Sequence, residues 1–539
     1  MDSALVAEVT AWIEDDPDPV TASQLQTLLD NEDEITLGRY FNGFLQFGTA
    51  GLRGPNGPGP SCMNRAVVAR AAAGIAAYMK ARGMTRVVIG RDARHGSAEY
   101  EIESAEIFSG AGMEVFVLPR ALPTPVLAYA TSALKADVGV MVTASHNPPQ
   151  DNGYKVYIGP VADGIVYASS QIINPTDGFI AAEIDAITTL KSQPRGKSWT
   201  VLDETLINEY VQRTAVLAKN PGKLRIVYTA MHGVGTQTLA QVFKSAGFPD
   251  LILVAEQAHP DPDFPTVVFP NPEEPGAIDL ALATARAHNA DLVIANDPDA
   301  DRCAAAIKDR SGQWRMLRGD ELGVIFGEWI ARTSPQGTFG NSIVSSSILR
   351  KISAHYGIDF KEVLTGFKWL AKIEDLAFGY EEAIGYSVDS ETVNDKDGIS
   401  AAIFLAQIAT DLAAVGKDLN DLLDEVWQRH GFHATEQISI RVADMGAITQ
   451  LLAGLRSNPP QEIAGRRVES IDDLAAPKDG LPPTDGLRLW LAGGVRIIIR
   501  PSGTEAKLKC YIEVITPDQL SAENELNALR APLKNFLGA

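Results

Sequence analysis

The sequence predicts an α/β protein: three similar α/β domains with mixed, mostly parallel sheets, followed by a smaller C-terminal α+β domain. Three observations carry this. From Arg86 onward, short apolar runs rich in β-branched residues alternate with helical periods, the pattern of βαβ units. The alternation occurs three times, and each pass runs into a polar loop. Beyond His430 the order changes to a strand, a helix, a Pro- and Gly-rich stretch and two long strand patterns. A chain of 539 residues is also too long for one hydrophobic core.

In the first pass, strands are expected at 87–90, 115–118 and 138–142, with helices at 99–109 and 126–134, and the pass ends at Ser145. The second has strands at 225–229, 251–255 and 292–295, helices at 236–245 and 278–288, and ends at Asp297. The third has strands at 342–346 and 361–364, helices near 349–355 and 368–374, and ends in the loop 379–385, GYEEAIG. Ligands of open parallel sheets gather beyond the carboxyl ends of strands, so these loops are where chemistry is expected. The last part has a strand at 437–442, a helix at 447–455, strands around 495–499 and 508–514, and a final helix. The expected domains are 1–200, opening with a helical arm, then 201–315, 316–430 and 431–539.

Composition narrows the function. The formal charge of -21, from 47 basic and 68 acidic residues, disfavours nucleic acid and acidic membranes as partners, and no basic patch offsets it. The longest near-apolar helical stretch, 398–410, is bounded by Asp397 and Asp411 and is too short for a membrane span. The first residues carry no basic region of the secretory type. Three cysteines without any CxxC spacing suggest neither a disulfide framework nor a zinc site, which fits a reducing cytoplasm.

Four constellations carry chemistry. In TASHNPPQDNGYKVY, Ser145 follows a buried-strand pattern and precedes two prolines, which predicts an exposed turn; it reads as a nucleophile or as a turn-capping hydroxyl. No GxSxG setting supports a hydrolase triad, and Lys155 offers positive charge to a phosphate. In LVIANDPDADR, Asp297, Asp299 and Asp301 alternate after an apolar strand, either as oxygen ligands of Mg²⁺ or as an acidic turn. An aspartyl-phosphate phosphatase is disfavoured because the fifth position of its DxDx(T/V) pattern is Asp301 here. In GYEEAIGYSVDS, Glu381 and Glu382 suit sugar hydroxyls or a solvent-facing pair. In RPSGTEAKLK, Arg500, two hydroxyls, Gly503 and two lysines read as a phosphate cradle or as a β-turn with incidental charge.

Taken together and in this order, TASHNP, DPDADR, the glutamate loop and RPSGTE resemble the α-D-phosphohexomutase superfamily, which includes phosphoglucomutases and phosphomannomutases. The resemblance implies four domains around a central cleft, the fourth closing over the ligand. It implies a phosphoserine at Ser145, and one Mg²⁺ held by Asp297, Asp299, Asp301 and an oxygen on Ser145. Arg53, in GTAGLRG, with Arg302 and Lys155 would stabilise the transferring phosphoryl group, and His146 and Lys396 would lie near the acid-base chemistry. Glu381 and the loop of Thr365, Gly366 and Phe367 would recognise the sugar. Arg500, Ser502, Gly503 and Thr504 would grip the phosphate that is not reacting.

The implied activity is interconversion of hexose 1-phosphate and hexose 6-phosphate, with glucose phosphate favoured and hexose 1,6-bisphosphate as activator. Free serine has no phosphoryl group to donate, so the resting enzyme is expected to be phosphorylated. Alternatives are phosphomannomutase, phosphopentomutase or glucose 1,6-bisphosphate synthase activity, and more remotely a non-catalytic phosphosugar-binding protein. Two departures bear on the sugar: Ala383 stands where many glucose-type members have Ser, and Ala506 where the phosphate loop often has Pro. The EEAIGY and TGFKW wording looks most like the branch with phosphoglucomutase-2 and phosphopentomutase-type enzymes. The expected partners are small phosphosugars, with no nucleic acid and no membrane; the sequence carries no signal of oligomeric state.

Overall fold

Helical periodicity at the N-terminus produces three short helices, Ser3–Asp15, Pro19–Asp30 and Glu34–Tyr40, each capped by an aspartate side chain that accepts a backbone N–H: Asp2, Asp18 and Asp33. Val9, Leu25, Leu37 and Phe41 form their small core. The acidic stretch 30–34 is thus a helix end followed by the cap of the next helix. The computed structural model describes residues 1–441, 445–501 and 507–538, so Ser502, Gly503 and Thr504 lie outside the described residues.

The chain forms two compact units. One comprises Met1–Leu317 with Gly385–Asp411, and the other Arg318–Ile384 with the chain from Leu412 onward. The first unit contains two large sheets and a two-stranded ribbon, Val161–Ala162 with Ile165–Val166. In the larger, the strand order is Leu52–Pro55, Asp151–Ile158, Val138–Val142, Arg86–Arg91, Glu114–Val117, Thr200–Val201, with Ser170–Gln171 beside Asp151–Ile158. Arg86–Arg91 runs parallel to both neighbours, pairing Val88 with Phe116 and with Gly139. Asp151–Ile158 is antiparallel to both of its long neighbours, so the chain turns back on itself around Ser145. The second sheet, Ile252–Leu253, Ile226–Thr229, Leu292–Ala295, Ala304–Lys308, Trp314–Met316, is likewise parallel at its start and antiparallel at its end. Val138–Val142 and Leu292–Ala295 are buried at every residue, as strands covered on both faces must be. Both end at the candidate chemistry.

In the second unit, Thr338–Ser342 lies between Asp359–Val363 and Leu376–Glu381, all parallel. An antiparallel sheet follows in the order Phe432–Arg441, Lys507–Thr516, Val495–Pro501, Leu487–Leu491, Arg466–Asp473, Glu462–Ile463, covered by helices Met445–Ser457 and Gln519–Phe536. The expected strand at 342–346 is displaced to Thr338–Ser342. Ile343 and Val344, which suggest a strand, instead pack against Leu474 and against Ile498 and Tyr511 of the antiparallel sheet. The expected loop 379–385 begins as strand, since Leu376–Glu381 carries GYE in its last residues. Arg466–Asp473 forms a strand inside the stretch read as Pro- and Gly-rich connection. Among the described residues no single helix is long and apolar enough to cross a membrane. All three cysteines are buried and unpaired.

A buried ion network fastens the antiparallel sheet to residues 343–347. Glu513 accepts from the Ser346 hydroxyl at 2.6 Å and the Ser347 N–H at 2.8 Å, and pairs with His433 Nδ1 at 3.0 Å and Arg496 Nη2 at 3.0 Å. Arg496 also donates to the carbonyls of Ile343 and Ser345. Burial pushes the Glu513 carboxyl up, but Arg496, His433 and Ser346 outweigh it and hold it down to about 2. A depressed folded value means that the stabilisation is complete above the ordinary glutamate value and is lost as pH falls towards 2. Glu513→Gln should therefore destabilise the protein at neutral pH by about 3–5 kcal/mol, the cost of breaking a buried pair. Urea unfolding at stepwise lower pH should show the difference from the wild-type protein closing as Glu513 protonates; a constant difference would mean that packing, not charge, is lost.

Candidate active site

The turn that carries Ser145 is strained and buried. Ser145 has φ +54, in the left-handed region, and only 3% of its surface is exposed. The exposed turn expected from the double proline is therefore corrected: the aspartate loop covers it. The turn is held from several sides. Thr143 Oγ1 accepts the Ser145 N–H at 2.9 Å, and Gly153 lies where a Cβ would meet the Thr143 carbonyl at 2.5 Å. Arg94, 4% exposed, donates to four backbone carbonyls of the loop: Ser145 at 2.6 Å, Asn147 at 2.7 Å, Pro148 at 2.9 Å and Asp151 at 3.2 Å. Asp92 pairs with the Arg94 Nε at 3.2 Å. Neither residue stood out in the sequence, although RDAR directly follows a strand that points to the same end of the sheet.

The aspartate loop closes on this turn. Ser145 Oγ donates to Asp297 Oδ2 at 2.9 Å. Lys155 Nζ, from the strand paired with Val138–Val142, reaches Asp299 Oδ2 at 2.7 Å and Asp301 Oδ2 at 2.8 Å. Burial pulls Lys155 down, but Asp299 and Asp301 overcome this and hold the ammonium above its ordinary value, fully charged. In this structure the partners of Lys155 are carboxylates. Lys396 Nζ stands 3.4 Å from Asp301 Oδ2, and the adjacent Asp395 accepts from Tyr157 at 2.8 Å and Gln171 at 2.7 Å. Gly398 allows this segment to approach: a Cβ there would meet the Arg302 carbonyl at 2.2 Å.

His146 Nδ1 is 3.3 Å from Ser145 Oγ, and its ring lies 6.1 Å from that of Phe269. Burial first, then Arg302 and Arg53, hold His146 well below the ordinary histidine value, which favours the neutral imidazole. Arg302 Nε is 3.8 Å from Asp297 and 3.9 Å from Asp301, and Arg53 reaches Asn147 Oδ1 at 3.4 Å. Ser145, His146, Lys155, Arg53, Arg302, Lys396 and the three aspartates thus belong to one unit.

The carboxylates fit a hard divalent cation. Asp297, Asp299 and Asp301 are buried, with one oxygen from each within 4.8 Å of the others. Asp299 Oδ1 and Asp301 Oδ1 are buried with no hydrogen-bond partner. Burial and then the Asp299 and Asp301 charges push Asp297 well above the usual carboxylate range. Asp301 lies below that range: burial pushes it up, but Lys155, Lys396 and Arg302 prevail. The lysines therefore compensate only part of the cluster, and a metal ion could supply the rest.

The second unit holds the remaining described residues. Glu381 Oε1 accepts the Gly366 N–H at 2.6 Å, which ties the loop of Thr365, Gly366 and Phe367 to the end of its strand. Glu382 Oε2 accepts from Ser342 at 3.1 Å and Ser345 at 3.0 Å, and burial, then Glu381 and Asp320, raise it to about 7. Both glutamates are half-buried, unlike a solvated pair. Arg500 is near the end of strand Val495–Pro501, opposite Lys509.

Comparison with known proteins matches four regions of the chain in order. Family models described as Phosphoglucomutase/phosphomannomutase match alpha/beta/alpha domain I at residues 45–172, domain II at 205–312, domain III at 318–430 and the C-terminal domain at 456–528. The chain is 45% identical over 482 residues to the "Probable phosphomannomutase" of Haemophilus influenzae, covering 88% of this chain and 98% of that one. It is 33% identical to the phosphopentomutase of Mus musculus, covering 100% and 94%, and 31% identical to the glucose 1,6-bisphosphate synthase of Homo sapiens, covering 99% and 95%. A crystal structure of a phosphoglucomutase/phosphomannomutase family protein from Burkholderia thailandensis has the same fold, with TM-score 0.71 at 20% identity, over 92% of this chain and 98% of that one. With its four domain matches in order, and with relatives of over 30% identity spanning nearly their whole length, this chain belongs to the phosphoglucomutase/phosphomannomutase family and is a mutase of the phosphohexomutase type.

Proposed function

We propose that the protein interconverts hexose 1-phosphate and hexose 6-phosphate, glucose phosphate first among them, through a phosphoserine at Ser145 and a bound hexose 1,6-bisphosphate. The observation that carries this reading is the 2.9 Å contact of Ser145 Oγ with Asp297, beside two carboxylate oxygens with no hydrogen-bond partner. In the first half-reaction the bond from Ser145 Oγ to phosphorus breaks and a bond from a sugar hydroxyl oxygen to phosphorus forms. The hydroxyl proton passes to neutral His146 and on to Ser145 Oγ, so charge and protons balance. In the second half, the other phosphate of the bisphosphate returns to Ser145 by the reverse path.

Arg302, Arg53 and Lys155 would hold the negative charge that spreads over the phosphoryl oxygens during transfer, with Lys396, like His146, near the acid-base chemistry. Asp297, Asp299, Asp301 and an oxygen on Ser145 would hold one Mg²⁺, chosen over zinc by an all-oxygen donor set; when bound, it neutralises phosphoryl charge. Glu381 and the loop of Thr365, Gly366 and Phe367 are assigned to the sugar. Arg500, with Ser502, Gly503 and Thr504, is assigned to the phosphate that is not reacting, and the bisphosphate serves as activator by phosphorylating Ser145. A pentose phosphate is a second reading, favoured by Ala383 and by the phosphopentomutase likeness over the whole chain.

Intact mass of the purified protein should show one phosphate in a substantial fraction of molecules, mapped by peptide analysis to Ser145, and Ser145→Ala should lose both the phosphate and turnover. A fully active Ser145→Ala enzyme would end the phosphoserine reading. Exhaustive chelation should abolish turnover and Mg²⁺ should restore it, while Asp299→Ala, which removes a ligand, should lower kcat by about 10²–10³-fold or more at ordinary Mg²⁺. Activity that survives chelation with no other cation present would leave the aspartates as a turn.

Rates with glucose 1-phosphate, mannose 1-phosphate and ribose 1-phosphate, each with bisphosphate activator, test the sugar. The glucose substrate should have the highest kcat/KM; a ribose phosphate preferred by more than about tenfold, or 1.4 kcal/mol of transition-state binding, would replace the hexose reading with the pentose one.

A further inference from the structure

Thr124 is not part of any motif singled out above, yet it touches the centre of the aspartate cluster. It stands in LPTPV at the first position of helix Thr124–Ala133. The first N–H groups of a helix have no partner within it, so they are available to a neighbour. The Thr124 N–H donates to the Asp299 carbonyl at 2.9 Å, and its hydroxyl donates to Asp299 Oδ2 at 2.6 Å, with both side chains 0% exposed. Lys155 Nζ donates to the same Oδ2 at 2.7 Å.

The consequence is an asymmetry in one carboxylate. Oδ2 of Asp299 carries two donors, whereas Oδ1 is buried and carries none. A buried carboxylate oxygen without a donor is costly, and here the rotation that would relieve it is blocked by contacts on the other oxygen. Ligands of metal ions are commonly oriented in this way by hydrogen bonds from outside the coordination shell.

We propose that Thr124 is a positioning residue for the cation: it fixes Asp299 through Oδ2, leaves Oδ1 as the oxygen without a donor, and so sets metal affinity. Because helix Thr124–Ala133 packs on strands Arg86–Arg91 and Val138–Val142 while Asp299 lies in the loop after Leu292–Ala295, the same pair of bonds also ties the sheet that ends at Ser145 to the aspartate loop. This rests on the metal reading above, and the experiment separates the two.

Mg²⁺ binding is measured by calorimetry on wild-type protein, Thr124→Val and Thr124→Ser, with Mn²⁺ electron paramagnetic resonance as a second probe and thermal unfolding in chelator as the control. Valine keeps the shape and removes the hydroxyl; serine restores it. Thr124→Val should bind Mg²⁺ about tenfold or more weakly, Thr124→Ser should bind within about threefold of wild type, and kcat of the valine variant should recover as Mg²⁺ is raised. If wild-type protein binds no cation, the metal reading itself fails. If wild type binds and Thr124→Val binds equally well, or Thr124→Ser is as weak as Thr124→Val, the proposal for Thr124 is overturned while the metal reading stands. A valine variant with a lowered kcat that added Mg²⁺ does not restore, and with unchanged Mg²⁺ affinity, would likewise overturn it.

Discussion

Lys155 lies 2.7 Å from Asp299 and 2.8 Å from Asp301 with all three side chains almost fully buried, and this triad joins the first sheet to the loop at the end of the second. Two carboxylates this close repel strongly in a medium of low dielectric, and taking three charges out of water is itself expensive. An apolar trio of the same volume would pack at lower cost. The charged arrangement suits a site in which Lys155 compensates part of the negative charge and a bound cation could supply the rest.

The serine turn has the complementary problem. A non-glycine residue at φ +54 and a run of loop carbonyls turned inward would be unstable alone. Arg94 resolves both by donating to four carbonyls, and Asp92 holds the guanidinium in place. The strain persists because the surrounding sheet over-determines it. Rigidity of this kind suits phosphoryl transfer, which asks the protein for positioning and charge more than for covalent chemistry.

Much of this was legible in the sequence, for physical reasons that also explain what was not. Buried parallel strands read as continuous apolar runs, so Val138–Val142 and Leu292–Ala295 were located to the residue, and with them Ser145 and the aspartates just beyond. Where apolar residues face a different partner, the reading slipped: Ile343 and Val344 looked like a strand but serve the contact with the antiparallel sheet. The burial of Ser145 was invisible because the loop that covers it lies 152 residues away. Arg94 and Thr124 were missed because they act on backbone and carboxylate partners distant in sequence, and neither residue type at its position carries a local signature.

Overall charge and local charge point in opposite directions, and the difference is instructive. A chain at -21 repels anionic sugars over most of its surface, and no basic run offsets this in the sequence. The fold nevertheless draws Lys155, Arg53, Arg302 and Lys396 together from four separate stretches, none of them a basic cluster on its own. These four cationic side chains surround the three carboxylates Asp297, Asp299 and Asp301. Desolvated charges in such a site act over short distances with little screening, so any attraction for an anionic group is confined to that site. That is how an acidic protein can handle an acidic substrate, and why composition alone argued against nucleic acid without arguing against a phosphosugar.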